Sequence, residues 1–320
     1  MIGLLASPDF DRIFRPGPLN VYFGGHRGPS LDRVERAFFS GLQLDNGTFK
    51  TTSAARLDEV NSIVARLLPR DRVVDVLDVG VSSGVTTADW SAQLRSAGID
   101  HQIVATDLVM HARLLTLGRR IAVLWQQNGH PLAVQTGPMT LYLGHAGDQG
   151  PRGVLSRVLG PALSRLHAAT VNRRRWPHEA PPRPWRAGVR CVDLVSRQLV
   201  ADPSIRLVED DVSFPREFGQ SFDVCRAANL LNRAYFPDDT LAAMAINLLA
   251  RLRDGGLLVV CRTTDGDDGP INQATVFRRS GPRFEVAKRL NGGSEVEELL
   301  LTTDVRAVVP EHASPLTTSV

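Results

Sequence analysis

Lysine is almost missing from this 320-residue chain: Lys50 and Lys288 are the only two, while arginine is abundant. A GC-rich genome would explain such a bias, and no function is read from it. Cysteine is scarce as well. Cys191, Cys225 and Cys261 contain no Cys-x-x-Cys spacing, and two of them fall in predicted strands, as expected of buried, reduced thiols in a cytoplasmic protein. The eight histidines are scattered, with no His-x-x-x-His pair and no Cys/His cluster, so no metal site is expected. No run approaches the roughly 18 apolar residues of a spanning helix, and no basic start precedes an apolar core at the N-terminus. Neither membrane spanning nor secretion is expected. No internal repeat is present. With 43% hydrophobic residues and a net charge of +3, the chain is ordinary for a globular protein and long enough for one elaborated domain or two.

One stretch organises what is there. Val73-Val74-Asp75-Val76-Leu77-Asp78-Val79 is a β-branched apolar run, read as a strand buried on both faces of a parallel sheet. Gly80-Val81-Ser82-Ser83-Gly84 is a small-residue turn, and residues 86–94 continue as a helix. Strand, turn and helix place backbone N–H groups at a helix N-terminus, the geometry of a small-molecule site. A dinucleotide fingerprint fails here, because its three glycine positions are Gly80, Ser82 and Val85. A triphosphate loop fails because no lysine follows Gly84. The turn does match the Gly-x-Ser-x-Gly nucleophile elbow. Farther along, Gln102-Ile103-Val104-Ala105-Thr106-Asp107 is a second apolar strand ending in a carboxylate, 23 residues beyond Gly84. Such an acid accepts hydrogen bonds from ribose hydroxyls, or else caps a helix.

The pattern Asp78-Val79-Gly80-x-Ser82-x-Gly84 resembles the first motif of class I S-adenosylmethionine-dependent methyltransferases, with serine at the middle position in place of the commoner glycine. The resemblance covers residues 73–116 and 204–290. It implies S-adenosylmethionine as cofactor, small residues Gly80, Ser82 and Gly84 beside its methionyl part, Asp78 in the same loop, and Asp107 as the ribose ligand. An acid after the third strand then meets the adenine amino group and the next apolar residue packs on the ring. Asp211 and Val212 match best, although Asp210 competes by one position. Phe222-Asp223-Val224-Cys225-Arg226 runs into Ala227-Ala228-Asn229-Leu230-Leu231-Asn232, a stretch similar to chemotaxis-receptor-type carboxyl methyltransferases. By that likeness Asn229 and Leu230 lie near the methionyl end, with Arg226 and Asn232 facing the acceptor; each can equally be a turn or capping residue. The implied reaction is methyl transfer to a small-molecule or protein acceptor through oxygen, nitrogen or carboxylate. His26, His111 and Tyr235 are candidates for a base, and Tyr22, His26, Lys50 and Thr51 for acceptor contacts.

The fold class expected is α/β, a seven-stranded, doubly wound, mostly parallel sheet, Rossmann-like, with an N-terminal helical arm and a large insertion. The divisions are an arm over 1–70, core over 71–116, a basic insertion over 117–190, core over 191–310 and a tail over 311–320. A helix is expected over 51–68, another over 110–120, a hairpin or small β-unit over 121–144, a helix over 237–253, and a closing antiparallel pair over 272–279 and 283–290. Residues 151–190 hold nine arginines and one acid, Glu179, a net charge of +8 that leaves −5 for the remainder. Val154, Leu155, Val158, Leu159, Leu163 and Leu166 form an apolar stripe there, broken by Pro161, with Trp176 and Trp185 in the arginine-rich stretch that follows. The segment reads as a solvated insertion, as a peripheral contact for an anionic membrane or acidic acceptor, or, ranked last, as a nucleic-acid contact. Localisation is cytoplasmic, with peripheral membrane contact as the variant.

Two other functions compete. A serine hydrolase would use Ser82 with Asp265 or Asp267 and His312, and Gly24-Gly25-His26 imitates an oxyanion loop. Against it, the elbow strand comes first rather than late, and Asp107 and Asp211 are left without a role. The third reading is a non-catalytic protein that binds an adenosyl ligand and docks on a membrane or acidic partner.

Overall fold

The computed structural model describes residues 14–16, 19, 30–50, 54–117, 120–137, 139–145, 147–171, 188–266 and 269–303. Its first elements are β1 (Phe14–Pro16), α1 (Ser30–Gly41), α2 (Asp58–Ala65), β2 (Val74–Val79), α3 (Val85–Ser96) and β3 (His101–Asp107). Next come β4 (His111–Leu117), β5 (Ile121–Gln126), β6 (Pro131–Thr136), β7 (Met139–Tyr142), α4 (Pro151–Val171), β8 (Gly188–Asp193) and α5 (Arg197–Ala201). The last are β9 (Ile205–Glu209), β10 (Phe222–Ala228), α6 (Asp238–Arg251), β11 (Leu252–Gly266), β12 (Gly269–Ser280), β13 (Arg283–Leu290) and α7 (Glu297–Thr302). Two compact units share these elements. The first gathers residues 1–54, 82–85 and 109–201, the second 55–81, 86–108 and 202–320.

The second unit is built on a seven-stranded sheet in the order β13-β12-β11-β10-β2-β3-β9. Successive side chains on a strand point to opposite faces, and both faces here are covered. Val74 and Val76 of β2 pack with Leu57, Val60 and Val64 around α2 and with Trp90 and Leu94 of α3. Leu77 and Val79 face the other way, onto Leu241, Met244 and Leu248 of α6 and Leu300 of α7. That double burial is why the strand reads as an almost unbroken apolar run. Strands β9, β3, β2, β10 and β11 are parallel. Beyond β11 the chain turns back, and β12 and β13 close the sheet as an antiparallel meander, with Gly281 at φ +56° in the tight connection. The architecture is therefore α/β with a mixed seven-stranded sheet. The helix expected over 237–253 is α6, whose first-turn Asp238 and Asp239 and last-turn Arg251 suit its dipole. The one expected over 51–68 is shorter, α2, and residues 51–53 lie outside the described set.

The first unit holds a six-stranded antiparallel sheet, β1-β7-β6-β5-β4-β8. Residues 110–120, expected to be helical, form strand β4 instead. The run His111–Leu117 has apolar residues on both faces, Ala112 and Leu114 in one cluster and Leu115 in another, and such a run fits either a buried strand or a helix until its neighbours are known. The hairpin expected around Gln127-Asn128-Gly129 is present between β5 and β6, with Gly129 at φ +89°. Helix α4 runs straight through Pro161. Its Leu163 and Leu166 pack on the cluster of Trp125, Val123 and Val189, whereas Val154 and Val158 are exposed. Arg152 is buried and donates to the Gly41 carbonyl at 2.7 Å. Residues 172–187 and 304–320 are outside the described set, and no helix among the described residues is long and apolar enough to cross a membrane.

Candidate functional site

The carboxyl ends of the parallel strands in the second unit carry the site. Strand order reverses between β2 and β10, and the crevice outside such a reversal is where open α/β sheets take ligands. Gly80 follows β2 at φ +70°, a conformation glycine adopts without strain. Its N–H and that of Val81 both donate to the Thr106 carbonyl, at 2.8 and 3.1 Å, so the turn after β2 is tied to the tip of β3. A Cβ at Gly80 would lie 3.3 Å from Leu230 Cδ2. Leu230 thus rests on the turn from the β10 side.

Asp107 ends β3 with its side chain partly exposed, and its carbonyl accepts from Asp210 N–H at 3.0 Å. The tips of β3 and β9 are therefore adjacent, in the register Asp107 opposite Glu209. The two acids that follow β9 separate cleanly. Asp210 is buried and paired with Arg251 at 2.7 Å, two side chains each only 2% exposed. Asp211 stays partly exposed and accepts from Ser213 N–H at 2.9 Å. Val212 turns inward, buried in the cluster that includes Leu241 and Leu248.

Asp78 and Arg226 differ from what their motifs implied. Asp78 accepts from Arg226 Nε at 2.9 Å and Nη2 at 2.5 Å, and from the Thr87 hydroxyl at 2.7 Å. Arg226 Nη1 donates to Asn61 Oδ1 at 2.8 Å, Nη2 reaches the Thr86 carbonyl, and the guanidinium lies 4.1 Å from the centroid of the Trp90 ring. With side chains 3% and 1% exposed, neither group is open to a ligand. An acceptor-facing Arg226 is corrected to a bidentate strut that ties β2 to β10, and Asp78 is its counter-ion. Nearby Arg56 has its pKa lowered, chiefly by burial.

Asn229 has φ +56°; its N–H donates to the Cys261 carbonyl at 2.7 Å and its Oδ1 accepts from Thr263 N–H at 2.7 Å. It locks the turn after β10 to β11 at Cys261 and Thr263. Asn232 is buried and its Oδ1 accepts from Ala234 N–H at 2.7 Å, the turn alternative rather than an acceptor-facing one. Tyr235 is exposed.

The loop Ser82–Val85 belongs to the first unit. There the buried Lys50 donates from Nζ to the Ser82 carbonyl at 3.2 Å, and Ser196 N–H donates to the Ser83 carbonyl at 2.7 Å. Gly84, at φ +77°, leaves no room for a Cβ, which would fall 2.3 Å from Leu199 Cδ2. Ser82 has φ +58°, the strained conformation of an elbow, but its Oγ is shut away from solvent, whereas a nucleophile must be reached. His111 Nδ1 lies 3.0 Å from Asp193 Oδ1, across β4 and β8. The side chain of Asp265 and residues Tyr22, His26, Thr51, Asp267 and His312 are outside the described set. Among the described residues no cluster of His, Cys, Asp and Glu could hold a metal ion.

No family model matches the chain, and no curated protein does. Solved structures similar to it include CalS10, an amino pentose methyltransferase from Micromonospora echinaspora bound to S-adenosylmethionine. That match has 12% identity over 73% of this chain and 68% of the other, at TM-score 0.31. The CMeT domain of the citrinin polyketide synthase matches at 13% identity and TM-score 0.35, over 82% of this chain and 47% of that one. The N-methyltransferase NodS from Bradyrhizobium japonicum, bound to S-adenosylhomocysteine, matches at 13% identity and TM-score 0.30, over 77% and 74%. The chain thus spans less than half of the second of these. Likenesses this distant decide neither a site nor an acceptor.

Proposed function

We propose that the chain is a class I S-adenosylmethionine-dependent methyltransferase, with its adenosine over the carboxyl ends of β2, β3 and β9. The observation that carries this reading is the pair of partly exposed carboxylates at adjacent strand ends, Asp107 as the last residue of β3 and Asp211 just beyond β9, beside a turn at Gly80 that brings backbone close without a side chain of its own. The residue types suit the ligand: a carboxylate at Asp107 stands where a ribose diol would lie, one at Asp211 where an exocyclic amine would, and Leu230 adds an apolar edge. Asp78 takes no part, because its oxygens are already used.

When bound, the cofactor supplies an electrophilic methyl group, and the chain's own work is to hold it in line with a nucleophile. Asn229 and Gly80, locked to β11 and β3 by backbone hydrogen bonds, would keep the lips of the crevice in register for that purpose. The acceptor is a small molecule or protein with an oxygen, nitrogen or carboxylate nucleophile. A buried Ser82 Oγ does not favour the hydrolase alternative.

Addition of S-adenosylhomocysteine is expected to raise the melting temperature of the full chain, and calorimetric titration with S-adenosylmethionine to give saturable binding. Asp107→Ala removes hydrogen bonds to a charged acceptor worth about 1.5–3 kcal/mol each, an affinity loss of about tenfold or more. Absence of any shift with the folded parent protein, or full affinity in the Asp107→Ala variant, would sink the assignment.

A further inference from the structure

One end of the antiparallel sheet in the first unit is apolar and basic at once. The β4–β5 and β6–β7 connections both turn there: Leu117 is opposite Ile121, Ile121 opposite Thr136, and Thr136 opposite Met139. Gly137 N–H donates to the Arg120 carbonyl at 2.7 Å, which ties the two turns side by side. Leu117, Ile121 and Met139 are 45%, 43% and 49% exposed, although the strands behind them bury Leu114, Leu115, Val123 and Leu124. Arg120 is exposed between them. No acid occurs in residues 116–121 or 136–139, and residues 109–201 carry thirteen arginines and no lysine against Asp148, Glu179 and Asp193, a net charge of +10.

Exposed leucine, isoleucine and methionine at adjacent hairpin ends gain nothing from water, and contiguous apolar surface rimmed by charge marks a contact site. Arg120 at the tip and the net positive charge of residues 109–201 select an anionic partner. The geometry points to docking of this sheet end on an anionic lipid bilayer, Leu117, Ile121 and Met139 entering the headgroup boundary and Arg120 pairing with lipid phosphate. A nucleic acid would use the arginines but has no use for three aliphatic side chains, and among the described residues of the tip there is no aromatic ring on which a base could stack. The basic residues of 151–190 then contribute long-range attraction, and the hairpin ends contribute insertion.

The test is flotation of the full chain with phosphatidylcholine vesicles, with and without phosphatidylglycerol, at low and high salt. Binding is expected only with the anionic lipid and to weaken as salt rises. The double variant Ile121→Glu, Met139→Glu is expected to reduce the partition coefficient by about tenfold or more, and Arg120→Glu by about fivefold or more. Unchanged circular dichroism and melting temperature show that the variants fold, and Ile121→Ser, Met139→Ser, which adds no charge, is expected to weaken binding as well. The proposal is overturned if the parent ignores anionic vesicles at low salt. Retention of full binding by the Ile121→Glu, Met139→Glu protein would overturn it too. So would a duplex RNA that binds the parent and outcompetes the vesicles.

Discussion

Arg226→Leu leaves Asp78 as a buried carboxylate without a counter-charge, and its cost can be worked from the geometry. The pair makes two charge-assisted hydrogen bonds, at 2.9 and 2.5 Å, between side chains 1% and 3% exposed. Screening by water, which reduces most surface ion pairs to little, does not apply at that depth. Removal of one partner from a buried pair costs about 3–5 kcal/mol, because the other charge stays desolvated. The Thr87 hydroxyl still donates to Asp78 and limits the loss; loss of the guanidinium from the Trp90 face adds to it. For a unit of this size, about 3–5 kcal/mol corresponds to a melting temperature lower by about 6–20 °C. Thermal melts followed by circular dichroism, with urea denaturation to supply the free energy, measure it. The double variant Asp78→Leu, Arg226→Met removes both charges and is expected to recover most of the loss, a coupling of about 1.5 kcal/mol or more. An Arg226→Leu protein that melts within about 2 °C of its parent refutes the reasoning. So does a double variant as unstable as the sum of the single ones.

Three further outcomes are expected. Gly84→Ala places a methyl against Leu199 at a left-handed backbone position, a loss of about 2–4 kcal/mol that Leu199→Ala in the same chain should partly relieve; a neutral Gly84→Ala removes the packing argument. Asp202 is held far below the usual carboxylate range by Arg95, with help from the Ser204 and Ser91 hydroxyls. Its depressed folded pKa means its stabilisation is complete above the unfolded value of about 4 and is lost as pH falls toward the folded one. Asp202→Asn should therefore flatten the fall of melting temperature below about pH 4, and an unaltered slope counts against the network. In the native protein only the half-exposed Cys191 should react quickly with a disulfide reagent, since burial raises the Cys225 thiol pKa and pushes that of Cys261 up to about 11; two fast thiols before unfolding would contradict the buried assignments.

Asp78 shows where a sequence reading goes astray and why. Val-Asp-Val-Leu-Asp-Val-Gly has the form of a ligand loop, and an acid beside it is naturally assigned to the ligand. An ionisable residue inside an apolar strand is also a statement that an opposite charge lies across the sheet, and Arg226, alone in Val-Cys-Arg-Ala-Ala, is that charge. The signal was in both strands, but pairing them required knowing that β10 lies next to β2. Asp210 and Asp211 gave the converse case: consecutive acids that composition cannot distinguish, separated once Arg251 of α6 faced one of them.

The amino-acid sequence alone determined the order of strands and helices in the second unit, the closing antiparallel pair, the turn at Gly80 and the carboxylate at the end of β3. These are set within a few residues by side-chain period, chain-breaking residues and caps. It did not determine that residues 110–120 form a strand, that the loop Ser82–Val85 packs with Leu199 and Lys50, or which charges are locked inside. Those outcomes depend on partners tens to more than a hundred residues away, and a short apolar run or a lone charge has no preference until such a partner covers it. Only the folded chain supplied them.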